Sequence, residues 1–189
     1  AILSRLTCQV VGYGASSSAK ARADSIQHVA LQSEFGFSYE EKERVVHLNL
    51  AGQHNVFNAL AVCALAACWQ LPFATVARAL ASFPGVDRRL CCHGKVPYGD
   101  SDVMLLEDYG HHPTEIAATL LAVQSAWPNR RVLMVFQPHR YSRTKALMEE
   151  FAQVLSRSHA VMLLPVYAAG ERVDSVVSAS ALGECIVEQ

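Results

Sequence analysis

Two different periodicities divide the chain. Up to residue 50 the apolar residues form short runs, and Arg44–Leu50 alternates between two faces, which is typical of a half-buried strand. Further strands are predicted at Cys8–Tyr13, Val29–Gln32 and Phe35–Tyr39. Asn55–Trp69 is rich in alanine, which favours a helix, and a second helix is predicted over Thr75–Phe83. Pro84-Gly85 ends that helix, so we place a domain boundary within residues 84–89.

The second half of the chain alternates apolar strands with amphipathic helices. The predicted strands are Asp102–Glu107, Val132–Phe136 and Val161–Leu164, and the predicted helices are Pro113–Trp127 and Thr144–Ser156. Continuous apolar strands separated by helices are typical of a parallel sheet that carries helices on its faces. We therefore predict an α/β fold with a parallel sheet in βαβαβ order.

Composition and charge exclude several classes of protein. Of the 189 residues, 51% are hydrophobic and 17% are charged, which excludes a disordered chain, a coiled coil and collagen. The net charge of −1 gives no overall attraction to nucleic acid or to an anionic membrane. The longest apolar stretch, Val56–Leu71, is too short to span a membrane, and the first residues lack the pattern of a signal peptide. None of the six cysteines forms a C-x-x-C pair, so we expect a cytoplasmic protein without membrane insertion.

Polar residues follow each of the three predicted strands of the second half. In open α/β sheets, ligands bind outside the carboxyl ends of the strands. We therefore expect three polar segments to meet at one edge of the sheet: Glu107–His112, Gln137–Thr144 and Pro165–Glu171.

The residue types in these segments predict their chemistry. Arg140 and Arg143 lie three residues apart at the start of a predicted helix, which favours a carboxylate or phosphate site over a solvated charge pair. His111 and His112 are adjacent, so on an extended loop they point apart and do not readily share a metal ion. Asp108, at a strand end, is placed to accept hydrogen bonds from ribose hydroxyls; the alternative is a cap or turn aspartate.

One glycine motif supports a competing interpretation. Gly12-Tyr13-Gly14 follows a predicted strand, and Glu34 lies at about the right distance for a dinucleotide-binding fingerprint. The third glycine is missing and no crossover helix is predicted, which disfavours a nicotinamide-dependent oxidoreductase. The chain also contains no G-x-x-x-x-G-K-[ST] phosphate loop.

From about Val11 to its end, the chain resembles the Mur ligase family. The resemblance is carried, in this order along the chain, by residues 52–61, 85–89, 107–115, 136–144 and 166–171. Asp-Tyr-Gly-His-His-Pro and Gln-Pro-His-Arg-Tyr-Ser-Arg are the most specific of these loops, and they resemble the members that join L-alanine to UDP-N-acetylmuramate. A recycling ligase that attaches a tripeptide to the same sugar shares the His-His-Pro loop but lacks this arginine loop. Folylpolyglutamate synthases share only the architecture.

The resemblance implies a fragment of a three-domain ligase. Residues 1–88 correspond to the last part of a central α/β ATPase domain, and residues 89–189 to most of a Rossmann-like C-terminal domain. The UDP-sugar domain, the phosphate loop with its lysine and the Mg²⁺ ligands have no counterpart in this chain. The family's cofactors are ATP and Mg²⁺, and its reaction proceeds through an acyl phosphate. By itself the chain is expected to be inactive, so a non-catalytic nucleotide- or amino-acid-binding module remains an alternative.

The resemblance also implies roles for individual residues. Asn55 and Asn58 would contact adenine, although Asn55 is equally placed to cap its helix, while Arg89 would contact the ATP phosphates and Asp108 the ribose. The residues implied to hold L-alanine or the muramoyl product are Tyr109, His111, Arg140 and Arg143, with His139 beside them. No catalytic residue and no metal ligand is assigned. Glu107 stands where the family often has aspartate, and no role is assigned to residues 165–168.

Overall fold

The chain folds into two compact units, which we describe separately. The computed structural model describes residue 5, residues 7–8 and residues 10–189. Unit 1 is Ala1–Gly85 and unit 2 is Val86–Gln189. Of the predicted strand Cys8–Tyr13, Gln9 lies outside the described residues, and only Tyr13 belongs to a strand among the rest.

Unit 1 contains a four-stranded sheet in the order β1-β2-β3-β4. Its strands are β1 (Tyr13–Gly14), β2 (Ala21–Val29), β3 (Gln32–Tyr39) and β4 (Lys42–Leu48). β1 pairs with β2 in parallel, and the other pairs are antiparallel. The predicted strand Val29–Gln32 is wrong, because it contains the turn between β2 and β3, in which Ala30 has φ of 51°.

Two helices cover one face of this sheet and form its core. They are α1 (Gln53–Cys68) and α2 (Phe73–Ser82), close to the predicted helices. The alternation predicted for β4 is confirmed, because Val46 and Leu48 are buried while Val45 is 55% exposed. The core joins side chains of both layers: Phe35, Phe37, Val46, Val56, Leu60 and Cys63.

Unit 2 contains two strand pairs and four helices. β5 (Cys91–Tyr98) and β6 (Ser101–Glu107) form an antiparallel hairpin, followed by α3 (Pro113–Ala126). β7 (Leu133–Phe136) pairs in parallel with β8 (Ala160–Leu163). Between these two strands lie α4 (Tyr141–Ala146) and α5 (Met148–Leu155), and α6 (Ala179–Val187) follows β8.

The predicted α/β class and the βαβαβ order are confirmed in unit 2, with two differences. β6 is hydrogen-bonded antiparallel to β5 in a separate two-stranded sheet, so only β7 and β8 form the predicted parallel pairing. Sequence analysis did not predict β5, because Gly94 and Pro97 obscure its pattern. The single helix predicted over Thr144–Ser156 is wrong, because Leu147 adopts φ −123°, ψ 25° and separates α4 from α5.

The core of unit 2 lies on one face of the parallel pair. Ile116 and Leu120 of α3 meet Phe151 and Leu155 of α5 and Leu182 of α6, and all five side chains are at most 4% exposed. Ile116 and Leu120 lie four residues apart on α3, as do Phe151 and Leu155 on α5, so these spacings mark the buried faces of the two helices. In the described part of the chain, no helix combines the length and apolar character needed to cross a membrane.

Candidate functional site

The loop between β6 and α3 is shaped by its own polar side chains. His112 is the N-cap of α3, and its Nδ1 accepts a hydrogen bond from the Thr114 N–H at 3.3 Å. The Glu115 carboxylate accepts from the N–H groups of His111 at 2.9 Å and His112 at 3.2 Å. Glu115 was missed by sequence analysis, although a glutamate three residues after a cap is a recognisable capping box. The His112 side chain therefore caps α3, whereas the His111 side chain is oriented by the Tyr109 carbonyl, which lies 3.1 Å from His111 Nδ1.

Asp108 anchors the same loop with both carboxylate oxygens. Oδ2 accepts from the Leu90 N–H at 2.9 Å, and Oδ1 accepts from the Gly110 N–H at 2.7 Å. A Cβ atom at Gly110 would lie 2.8 Å from Oδ1, so the turn requires glycine. Asp108 is thus a turn aspartate, the alternative left open by the sequence. A carboxylate has about four lone-pair positions, so two acceptor positions remain for a ribose.

Two arginines flank Tyr109. The guanidinium carbon of Arg88 lies 4.7 Å from the centre of the Tyr109 ring, and that of Arg89 lies 5.9 Å away. Arg88 Nε also donates to Glu107 Oε1 at 2.9 Å, whereas Arg89 Nη1 lies 3.6 Å from Glu115 Oε1. Arg88, which sequence analysis did not assign, therefore has the closer partners, and both arginines are exposed.

The Glu107 carboxylate contacts both Arg88 and His93. Its Oε2 lies 2.9 Å from His93 Nε2. The hydrogen bonds from His93 and Arg88 lower the pKa of the Glu107 carboxyl below its ordinary value. An ionised carboxylate at this position holds Arg88 beside Tyr109.

The loop that carries the predicted arginines has an unusual backbone. Arg140 adopts φ of 74° as the N-cap of α4, in the left-handed region that arginine seldom occupies. Its carbonyl accepts from the N–H of Thr144 at 3.1 Å and from Thr144 Oγ1 at 2.8 Å. α4 has only six residues, so the expected contribution of a long helix dipole is reduced.

Two nitrogen atoms in this loop are buried and lack a hydrogen-bond partner among the described residues. They are His139 Nδ1 and Arg143 Nη1. Burial, with the charges of Arg143 and Arg140, lowers the pKa of His139, so its ring is neutral at pH 7. A buried donor without a partner is costly, which makes a bound acceptor group favourable at this position.

Four rings connect the loops of unit 2. The ring centres of Tyr109 and His111 are 5.4 Å apart, those of His111 and His139 are 6.3 Å apart, and those of His139 and Tyr167 are 5.2 Å apart. The structure therefore brings together residues from all three of the polar segments expected at one edge. Tyr167 had no assigned role.

The two predicted adenine contacts lie in unit 1. The Asn55 Nδ2 group donates to the Ala51 carbonyl at 2.8 Å, and the helix cap is Gly52. The alternative that Asn55 is the N-cap is therefore wrong. Asn58 lies one turn further along α1 and is exposed.

The glycine motif and a metal site find no support in the described residues. After Gly14 the chain forms a short turn and then antiparallel strands, and Glu34 pairs with His47 at 2.9 Å rather than following a helix. This is not the strand–turn–helix arrangement of a dinucleotide site. Among the residues that the structure describes, no group of three or more His, Cys, Asp or Glu side chains could hold a metal ion, so they do not fit a Mg²⁺ site.

Comparison with known families shows which family the chain belongs to. Residues 88–188 match the model described as "Mur ligase, glutamate ligase domain", and residues 1–66 match the Mur ligase middle domain. The chain belongs to the Mur ligase family. Among Mur ligases, it is 49% identical over 175 residues to the UDP-N-acetylmuramate–L-alanine ligase of Acidovorax sp. (strain JS42), covering 90% of this chain and 37% of the relative. The ligase of the same name from Methylococcus capsulatus is 45% identical over 171 residues, covering 90% and 36%.

A solved Mur ligase shares the fold. The crystal structure of UDP-N-acetylmuramate-alanine ligase MurC from Thermotoga maritima superposes with a TM-score of 0.76 at 24% identity, over 94% of this chain and 37% of that chain. The chain thus spans little more than a third of the length of the Mur ligases that it matches.

Proposed function

We propose that the chain is the amino-acid-binding and part of the nucleotide-binding portion of a bacterial, cytoplasmic UDP-N-acetylmuramate–L-alanine ligase. The observation that carries this proposal is the cluster of Arg143, His139, His111 and Tyr109, in which Arg143 Nη1 and His139 Nδ1 are buried without a partner. The names of the relatives, at 45% and 49% identity, support the choice of amino acid and sugar.

The proposed reaction forms an amide bond at the expense of ATP. The γ-phosphoryl group moves to the lactyl carboxylate of UDP-N-acetylmuramate, which yields an acyl phosphate and ADP. The amine nitrogen of L-alanine then attacks the acyl carbon. As the new C–N bond forms, the amine loses a proton, and the C–O bond to phosphate breaks from a tetrahedral intermediate. Groups that stabilise the developing negative charge contribute most to such a step.

The arginine loop supplies what the amino acid needs. A guanidinium group pairs with a carboxylate through two parallel hydrogen bonds, so Arg140 and Arg143 are suited to hold the L-alanine carboxylate. His139 is kept neutral by burial and by these two arginines, since they lower its pKa. A neutral imidazole next to the bound amino acid can accept a hydrogen bond from its ammonium group. Tyr109 and His111 complete this side of the site.

The remaining assignments concern ATP. We assign adenine to Asn55 and Asn58, the phosphates to the exposed Arg89, and the ribose to the remaining lone pairs of Asp108. The chain has no phosphate loop, and its described residues do not fit a Mg²⁺ site. We therefore assign the phosphate loop, the Mg²⁺ ligands and the UDP-sugar site to further domains of the same enzyme.

The test is phosphate release by the whole protein that contains this chain. With ATP, Mg²⁺ and UDP-N-acetylmuramate present, we expect release to require L-alanine and to be unsupported by a tripeptide. The 189-residue chain alone, as a control, should release none. Release that requires a tripeptide instead would assign the recycling reaction. Binding of ATP or L-alanine by the whole protein with no release would leave only the binding module.

A further inference from the structure

The segment of residues 165–171, here called the clasp, holds the arginine loop of residues 137–144 at two places next to Arg140, besides a hydrogen bond from Gln137 Nε2 to the Pro165 carbonyl at 3.3 Å. At the first place, the Arg140 N–H donates to the Tyr167 carbonyl and the Tyr167 N–H donates to the Pro138 carbonyl, both at 2.8 Å. At the second, the Glu171 carboxylate accepts from the Ser142 N–H at 3.0 Å and from Ser142 Oγ at 2.6 Å. The first attachment includes the N–H group of Arg140 itself, and the second lies two residues later, at Ser142.

Arg140, which lies next to both attachments, is the residue with the strained backbone. Arg140 has φ of 74°, and a non-glycine residue keeps such a conformation only where its surroundings enforce it. The clasp is itself a tight turn, since Ala169 has φ of 49°, Gly170 has φ of 85°, and the Glu171 N–H returns to the Ala168 carbonyl at 3.0 Å. The turn aims the Glu171 carboxylate at Ser142.

We propose that Glu171 is a positioning residue for the ligand site: through Ser142 it keeps Arg140 in its left-handed conformation, and so keeps the arginine loop ready for a carboxylate ligand. The ligand part of this inference rests on the proposed function, whereas the positioning part does not. Glu171 is ionised at neutral pH, because the hydrogen bonds from Ser142 and the charge of Arg140 lower its pKa. The charged or titratable side chains that face it are Arg140 and His139, and the backbone N–H of Tyr141 also lowers its pKa.

The test compares Glu171→Gln, Ser142→Ala and the double variant in the 189-residue chain. Glu150→Gln, an exposed carboxylate on α5, is the matched control. Amide hydrogen exchange of Arg140 reports directly on its bond to Tyr167. We expect exchange at Arg140 to accelerate by about tenfold or more in Glu171→Gln and by less in Ser142→Ala, which keeps the bond from the Ser142 N–H to Glu171. The double variant should show no further change beyond Glu171→Gln, because Glu171 acts through Ser142. The control should match the parent.

Binding of UDP-N-acetylmuramoyl-L-alanine by the whole protein that contains this chain, measured by calorimetry, provides the second measurement. Glu171→Gln should weaken binding by about tenfold while the melting temperature stays within about 3 °C of the parent. Unchanged Arg140 exchange in Glu171→Gln would overturn the proposal. Additive effects on exchange in the double variant would also overturn it, because Glu171 would then not act through Ser142. If the parent whole protein does not bind this probe, the proposed ligand is wrong, and the exchange measurement alone then decides the positioning role.

Discussion

Left-handed backbone serves different purposes in the two units. In unit 1 the non-glycine residues with positive φ include Ala30, Glu40 and Glu41, which form the turns between antiparallel strands. In unit 2 they include Arg88 and Arg140, which carry guanidinium groups into the candidate site. The conformational cost of a positive φ therefore accompanies hairpin turns in one unit and arginines of the candidate site in the other. Functional sites are where strained residues concentrate in proteins.

The two units also differ in how their polar groups are paired. Along the hairpin strands of unit 1, Glu34 pairs with His47 at 2.9 Å and Gln32 bonds Asn49 at 3.1 Å. In unit 2, His139 Nδ1 and Arg143 Nη1 lack partners within a single loop. Arg22 Nε in unit 1 also lacks one, but the Nη2 of the same guanidinium lies 3.3 Å from Asp24. Ser158 Oγ, elsewhere in unit 2, also lacks a partner, but only the loop where we place the ligand has two such atoms among the described residues.

The largest expected effect tests whether the two cores are separate. Phe37 in unit 1 and Phe151 in unit 2 are each 1% exposed. Replacing either with alanine should lower the free energy of unfolding by about 3–5 kcal/mol, because each leaves a large cavity. Hydrogen exchange should show the loss of protection only in the unit that carries the substitution. The exposed Val45→Ala is the control, and an equal loss in both units would contradict two separate cores.

A smaller loss is expected at the loop anchor of unit 2. Asp108→Asn should destabilise unit 2 by about 1–3 kcal/mol, because an amide NH₂ would face one of the two N–H donors now bound by the carboxylate. Thermal unfolding measures this change. The exposed Asp100→Asn should leave the melting temperature unchanged. If both variants melt alike, the Asp108 anchor adds nothing to the stability of unit 2.

Glycine substitutions address the contrast in backbone strain directly. Glu41→Gly and Arg140→Gly should each stabilise by up to about 1 kcal/mol, since relief of a left-handed conformation exceeds the entropic cost of glycine. Only Arg140→Gly should also weaken binding of UDP-N-acetylmuramoyl-L-alanine. Chemical denaturation and calorimetry on the same samples make the comparison. Destabilisation by Arg140→Gly would show that its conformation is not strained.

The smallest effect concerns pH. The pKa of Glu107 is lowered by its hydrogen bonds to His93 and Arg88 from an ordinary value of 4.5. Because the folded-state pKa is depressed, its contribution to stability is present above that ordinary value and is lost as the pH falls through the lowered one. In denaturant titrations from pH 6 down to pH 3, Glu107→Gln should therefore show a slightly shallower loss of stability than the parent. A curve that coincides with that of the parent would mean that this ion pair is screened by solvent, and the exposed Glu43→Gln is the control.

The helices with regular apolar spacing were predictable, and the irregular elements were not. The spacings of four in α3 and α5 mark residues that are buried in the core. β2 was missed because Asp24, Ser25 and Gln27 interrupt its alternation at a bulge, where the pairing register shifts between Asp24 and Gln27. The break at Leu147 was missed because the residues around it continue a helical pattern.

The candidate site could be predicted only in its local parts. The residue types and their positions after strands identified Asp108, His111, Arg140 and Arg143 as candidates. Their ligand roles stay predictions. The meeting of the clasp with the arginine loop was expected, because both segments follow strands. The contact between Glu171 and Ser142 was not, because these residues lie 29 positions apart and no periodic pattern links them. Sequence analysis assigned Arg89 rather than Arg88, because no sequence pattern distinguishes two neighbouring arginines. The structure places Arg88 nearer to the Tyr109 ring.

The most direct test of the account is the L-alanine dependence of Arg143→Lys in the whole ligase. Lysine keeps the positive charge but not the planar pair of donors, so we predict a loss in kcat/KM for L-alanine of about tenfold or more, equivalent to about 1.4 kcal/mol per decade. Arg140→Lys should behave likewise, and a thermal melt confirms that both variants are folded. If both variants fold and keep alanine kinetics within about twofold of the parent, these arginines are a solvated charge pair and the ligand site lies elsewhere.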